Sequence, residues 1–311
     1  MAILGPYRQV LGLSDAGDIT RVFLETLIPT NKTYDFFVNW EKVRDHVEAL
    51  KFEISVLNAV CGSRDVESDL RHAIRRHPEV VEAFPIILAV RNSRISVLDP
   101  EVEPFPTVRE LDFSARSDLE PTEIEEILNF CRRTGITALF ASLRLTNLRD
   151  YLLGVEVGMD TNARKNRSGT WMENQVEGHI AAALENLPGS RMIHQKTFGG
   201  LAKQGIQIPS QLRNRQFDLA FLRGRTRINI EVNYYGGGGS KPQEIIDSYI
   251  NRQDVLRKAD WRFILITDGF GWKAGQNQLR RGVEEFDFIM NLHFVRAGLL
   301  VHAIQQCARQ D

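Results

Sequence analysis

The chain changes rhythm near residue 170. Before that point, apolar residues recur at intervals of three and four, and residues 15–92 read as helical. In Asn39–Val60 the apolar positions Val43, Val47, Leu50, Phe52, Ile54 and Leu57 follow this helical spacing. A second helix is expected over Val66–Arg76, stopped by Pro78, and a third over Val80–Arg91 with Pro85 as a kink. Two strand-like pieces, ISVLD and TVRELDFS, lie within 93–114, separated by a turn holding Pro100, Pro104 and Pro106. Pro121 opens the run PTEIEEIL, where proline and acids occupy the first turn of a helix, as the helix dipole favours. Another helix fits Asn147–Val157.

Beyond 170 the pattern alternates. A helix is expected over Thr170–Leu187, then strands over Arg191–Phe198, Phe217–Arg223, Arg227–Tyr234 and Arg262–Thr267, with a helix over Gln243–Lys258 before the last. This is an α/β pattern: a mixed sheet with helices on its faces. The expected division is a mainly helical N-terminal region, 1–145, and an α/β domain, 146–311.

Composition narrows the classes. A chain of 311 residues with 43% hydrophobic content buries a substantial core. Its net charge of −1 carries no global basic field, so any nucleic-acid contact must come from local patches. Cys61, Cys131 and Cys307 are far apart and form no CxxC pair, which argues against disulfides or zinc and for a reducing, cytoplasmic setting. No stretch approaches about 18 consecutive apolar residues, so no membrane span is expected. The N-terminus lacks the basic start and apolar run of a signal peptide.

The stretch EVNYYGGGGSK (Glu231–Lys241) concentrates the candidate chemistry. It is not a synthetic linker, because a strand stops just before the glycines and Pro242 opens a helix just after. Nor is it a phosphate-binding P-loop, in which Lys directly follows the last glycine and Ser or Thr follows Lys. Here Ser240 precedes Lys241 and proline follows. What precedes the glycines is more informative. Glu231 and Asn233 alternate on one face of a strand, about 7 Å apart at Cα. Asp218 begins the strand before it, and the turn Arg223-Gly-Arg-Thr joins the two as a hairpin. Hairpin geometry brings both acids to the same end of adjacent strands. Two carboxylates at a sheet edge form a hard-oxygen site suited to Mg²⁺, completed by phosphate oxygens of a substrate. The pattern D-x12-E-x-N has the shape of a PD-(D/E)xK nuclease core, with Asn233 where Lys is usual. An amide carries no charge, and Lys241 is a candidate to supply one from the loop.

Three segments together resemble the DpnII/MboI family of type II restriction endonucleases. They are EVGMDTNARKNRSGT (Glu156–Thr170), IEVNYYGGGGSK (Ile230–Lys241, with Ser248-Tyr249 following) and FILITDGFGWK (Phe263–Lys273). DFFVNWEKVRDHVEAL (35–50) and IILAVR (Ile86–Arg91) extend the similarity over most of the chain. The resemblance implies a PD-(D/E)xK fold, Mg²⁺ dependence and cleavage of double-stranded GATC before the G. It also implies a functional partner, a cognate adenine methyltransferase whose product blocks the cut. A palindromic target suggests a homodimer with isologous contacts. A decayed, purely DNA-binding protein and a structure-selective repair nuclease of the same core are the competing readings.

On this reading Asp218 and Glu231 hold the metal, Asn233 orients water or a phosphate oxygen, and a helix glutamate joins them. Glu173 is preferred to Glu177, four residues on along the same helix face; a solvated helix acid is the ordinary alternative for either. His179 reads as structural. Asn162, Arg164, Lys165, Asn166 and Arg167 form a basic, glycine-ended loop ahead of that helix, placed for phosphate contact or base reading. Gly238, Gly239, Ser240 and Lys241 form a loop able to approach a DNA backbone closely. The turn DGFGWK (Asp268–Lys273) either supports the fold or touches DNA.

Overall fold

The computed structural model describes residues 3–99, 107–142, 145–185, 187–237 and 241–309; at 165, 166, 168–170, 182, 183, 195, 241 and 242 only the backbone is described. The contacts divide the chain into two compact units, one of residues 34–164 and one joining 1–33 to 165–311. The sequence reading placed its division at 145/146. By contacts, the first 33 residues go with the α/β unit. Among the described residues no helix is long and apolar enough to cross a membrane.

The 34–164 unit is helical around its own core. The run expected over Asn39–Val60 is two helices, Trp40–Ala49 and Lys51–Asn58, parted at Leu50. Val66–Arg76 is helical as expected: the Asp65 side chain caps its start, and His77 leaves the helical conformation ahead of Pro78. The third expected helix is instead a 3₁₀ segment, Pro78–Glu82, and a short helix, Ala83–Ile87. Ala89 then takes a left-handed conformation (φ 59°), which ends it. β1 (Arg94–Asp99) and β2 (Thr107–Asp112) pair antiparallel. Helix Pro121–Arg133 starts with a reciprocal Glu120–Glu123 capping box. Helix Leu148–Asp160 is capped by Asn147. Its buried Glu156 pairs with Arg91 at 2.7 Å and His46 at 3.0 Å, and Asp160 accepts the Asn39 N–H. Three of the resembling runs thus meet in one hydrogen-bonded cluster.

The other unit is built on a five-stranded sheet in the order β3 (Arg191–Thr197), β4 (Gln216–Arg223), β5 (Thr226–Tyr234), β6 (Trp261–Asp268), β7 (Phe288–Met290). The first three strands run antiparallel, and β5, β6 and β7 are parallel. This is the mixed α/β architecture expected of a restriction-endonuclease-like core. Helix Lys241–Arg257 provides the crossover from β5 to β6, and helix Gln276–Glu285 the one from β6 to β7. Central β6 reads Phe263-Ile-Leu-Ile, buried throughout, as a strand covered on both faces must be.

β7, only three residues long, is closed by the N-terminal segment. Tyr7 donates its hydroxyl proton to the Ile289 carbonyl (2.7 Å) and accepts the Ile289 N–H (2.9 Å). One side chain thereby satisfies both backbone groups on a strand edge. Asn291 fixes the next helix, donating to the Phe23 carbonyl at 3.1 Å. Asp268, fully buried at the end of β6, accepts backbone N–H groups from Ile28 (2.8 Å), Gly269 (2.7 Å) and Leu292 (3.0 Å). Asp268→Ala would leave these donors unpaired, so it should cost at least about 3 kcal/mol. Urea denaturation checks this; a change below about 1 kcal/mol would show that Asp268 does not hold the N-terminal segment.

Candidate active site

The hairpin places Asp218 and Glu231 as the spacing requires. The β4–β5 ladder runs from Arg223–Thr226 to Leu219–Ile230, and Gly224 (φ 53°) makes the tight turn at its closed end. Continued by one residue, the register sets Asp218 opposite Glu231. There the ladder stops. The Asp218 carboxylate, not the β4 backbone, accepts the Val232 N–H, through Oδ2 at 2.8 Å. A notch opens between the strands where the two acids stand side by side.

Asn229, Glu231 and Asn233 alternate along one face of β5. Asn229 donates to Glu231 Oε1 at 3.0 Å, and Arg252, on helix Lys241–Arg257, places Nη1 2.7 Å from that same oxygen. Glu231 Oε2 and Asp218 Oδ1 have no hydrogen-bond partner among the described residues. Glu231 is only 4% exposed. Burial, with the neighbouring Asp218 charge, pushes its pKa up to about 7 despite Arg252. Burial also raises Asp218, opposed by the Val232 N–H and by Arg252. Both acids therefore sit where added positive charge is favourable.

Asn233 is held from two sides. Its Oδ1 accepts from the Thr267 hydroxyl, which accepts the Trp272 indole N–H at 2.8 Å. The Tyr249 hydroxyl meets the same Asn233 side chain, and burial followed by the Glu231 charge pushes that phenol up to about 12. The DGFGWK turn is thus a support for the site. Trp272 is buried, and a Cβ on Gly271 would lie 2.3 Å from the Tyr235 ring. A Cβ on Gly269 would lie 2.4 Å from the Tyr235 carbonyl oxygen. The two glycine motifs pack on one another, and only Phe270 of this turn's aromatic residues faces outward, under the Lys273 ammonium.

Other candidates stand elsewhere. Glu173 is half-buried on helix Arg164–Glu185, and no three His, Cys, Asp or Glu side chains converge as a metal cluster among the described residues. Glu177 is engaged by His194 of β3 at 2.7 Å. The basic run is not a loop. The helix expected from Thr170 starts at Arg164, so Arg164, Lys165, Asn166 and Arg167 form its first turns. The buried stripe Met172, Val176, Ile180 outweighs the roughly 1 kcal/mol cost of Gly169 within the helix. Asn162 is exposed in the 3₁₀ turn before it, Arg164 donates to the Phe37 carbonyl at 3.0 Å, and Arg167 is half-buried. Gly238, Gly239 and Ser240 lie outside the described residues, and Lys241 is described only by its backbone, at the start of its helix.

The sequence reading missed Tyr249 and Arg252 as members of the site. It sought a cation in the glycine loop, whereas the cation lies three turns into the next helix. A buried acid pair with no charge at the third strand position was the available signal.

The sequence profile of the DpnII restriction endonuclease family matches residues 20–302. Among similar proteins, the type II restriction enzyme MjaIII of Methanocaldococcus jannaschii is 35% identical, over 91% of this chain and 98% of its own. The type II restriction enzyme DpnII of Streptococcus pneumoniae is 30% identical, over 89% and 96%. MboI of Moraxella bovis is 28% identical, over 87% and 91%.

The pKa of Glu231 has a measurable consequence. A carboxylate raised from 4.5 to about 7 on folding contributes proton-linked stability that is complete at low pH and lost as pH rises to about 7. In chelator, the stability of Glu231→Gln relative to wild type should therefore grow from pH 5 to about 7 and level off above. The expected gain is on the order of 3 kcal/mol. A difference that stays constant over that range would mean Glu231 is ionised throughout.

Proposed function

Because the chain belongs to the DpnII restriction endonuclease family, whose members are type II site-specific deoxyribonucleases, we propose that it hydrolyses double-stranded DNA at GATC, before the G, using Mg²⁺ held by Asp218 and Glu231. The observation that carries the metal assignment is the pair of uncommitted oxygens, Glu231 Oε2 and Asp218 Oδ1, on a buried and a half-buried acid of adjacent strands. The fit to Mg²⁺ is chemical: two carboxylates offer hard oxygen donors, a set that water and phosphate oxygens would complete. When bound, the ion supplies Lewis-acid stabilisation of charge on the phosphoryl oxygens.

The chain's own residues do the rest. Asp218 fixes its orientation through Val232, and Glu231 through Asn229, so neither acid reorganises when the phosphate docks. Asn233, pinned through Thr267, orients a water or a phosphate oxygen with its amide. Glu173 is the candidate third acid. It would join the pair by a side-chain movement on its helix when DNA binds. Gly238, Gly239, Ser240 and Lys241 follow the metal strand and are assigned to the DNA backbone, as are Asn162, Arg164, Lys165, Asn166 and Arg167 at the start of the long helix. GATC, and the block by adenine methylation that protects the host's own sites, are supported by the motif resemblance and by the similarity to DpnII and MboI. A palindrome cut in both strands implies a homodimer, with a cognate adenine methyltransferase as its functional partner.

Plasmid digestion tests the proposal. Discrete fragments ending at GATC are expected in Mg²⁺, and none in chelator or from adenine-methylated DNA. Asp218→Ala and Glu231→Ala should each lower single-turnover cleavage by about 10³-fold or more. Discrete fragments at another sequence would overturn the target and leave the mechanism standing. Metal-independent binding without cleavage would identify a decayed, DNA-binding protein.

A further inference from the structure

The third strand position of this site carries no charge, yet the site contains a cation. Asn233 cannot supply one: it is a neutral amide, held by Thr267 and Tyr249. Arg252 is the cation that touches either acid among the described residues. Resting on the reading of this notch as the cleavage site, we infer that Arg252 is a catalytic residue that grips Glu231 with one nitrogen and offers its remaining N–H groups to a non-bridging oxygen of the scissile phosphate.

Three features of its placement carry this. First, Arg252 meets Glu231 at Oε1, the oxygen that Asn229 already holds, so the oxygens assigned to the ion, Glu231 Oε2 and Asp218 Oδ1, stay open while the guanidinium is in place. Arginine and the open oxygen are thus on different sides of the carboxylate. Second, Arg252 is 14% exposed at its side chain, and Nη1 is the nitrogen buried 2.7 Å from Glu231, so Nε and Nη2 are the donors left for a further acceptor. A largely shielded guanidinium needs acceptors for its other donors too, and a phosphate oxygen is an acceptor suited to its fork. Third, the residue lines a cleft of about 250 Å³ with Gln211, Leu212, Arg215, Ser248, Asn251 and Val255, so it stands between the acid pair and a second guanidinium, that of Arg215, with which a phosphate backbone can pair. The Tyr249 ring, 5.3 Å from its guanidinium carbon, stacks beneath it and limits its swing.

The bland alternative is a counter-ion that only neutralises Glu231. The two roles differ in what they require of the phosphate. The test uses wild type, Arg252→Met and Arg252→Lys, and two duplexes differing only at the scissile position mapped from the wild-type products: one natural, one with an uncharged methylphosphonate there. Binding is measured in chelator, and single-turnover cleavage of the natural duplex in Mg²⁺. If Arg252 contacts the phosphate, Arg252→Met binds the natural duplex about ten-fold more weakly than wild type and the methylphosphonate duplex equally well. Its cleavage falls about 10³-fold or more. Arg252→Lys keeps a counter-charge for Glu231 but loses the fork; at an unchanged melting temperature it should cleave about 30-fold more slowly than wild type. That variant carries the test if Arg252→Met does not fold. Equal losses on both duplexes, or wild-type cleavage by Arg252→Lys, overturn the inference and leave a counter-ion. Failure of wild type to cut any DNA removes the cleavage-site reading itself, and this inference with it.

Discussion

Everything at the site depends on one cross-strand pair: two carboxylates side by side where β4 parts from β5, Glu231 buried and Asp218 half-buried. Such a pair is unfavourable alone. Each acid loses hydration, and the two repel, which is why Glu231 binds a proton up to about pH 7 in the absence of added positive charge. The fold tolerates this because most positions of β5 and β6, polar ones included, are buried in the same unit. The acids are also held by backbone and amide donors that do not neutralise them. The result is an anionic notch on a stiff frame, a standing attraction for cations.

Carboxylates elsewhere in the same unit show what a structural acid looks like. Asp287 accepts Arg257 on Oδ1 (2.8 Å) and the Phe263 N–H on Oδ2 (3.0 Å), so both oxygens are used. Asp268 likewise takes backbone donors on both oxygens. These acids tie β6, β7 and the N-terminal segment together, and nothing about them asks for a ligand. Glu231 is buried and Asp218 half-buried, yet each has one oxygen uncommitted among the described residues. Burial alone does not separate the two kinds of acid; the partnering of each oxygen does.

Much of this was legible in the sequence, and the rest was hidden for physical reasons. The hairpin was legible because strand period and turn length are short-range: D-x12-E-x-N with a Gly224 turn sets Asp218 against Glu231. The resembling runs pointed to the family. Arg252 was not legible, because which residue of a 17-residue helix faces a sheet depends on the helix's rotation, a tertiary property. The start of the long helix at Arg164 was missed because the charged run Arg164–Arg167 looks like a solvated loop locally, while the stripe that drives it into a helix lies further along. The return of the first 33 residues to the α/β unit depends on Tyr7 meeting Ile289, 282 positions away, which no local pattern encodes.

The DGFGWK turn shows how the glycine motifs and the uncharged third position belong together. Gly269 and Gly271 let the turn approach Tyr235 more closely than any side chain would allow. That approach buries Trp272 beneath the site, where its indole N–H orients Thr267, and Thr267 orients Asn233. A lysine at position 233 would be free to move and to carry charge. Asn233 does neither, since its carbonyl is consumed by the Thr267 hydroxyl. In the proposed mechanism the site divides in two a role that one lysine fills in the usual form of this core. There a fixed amide from the strand would give direction, and a guanidinium from the neighbouring helix would give charge. The glycines set the first by letting the turn close under it, and the phase of helix Lys241–Arg257 sets the second.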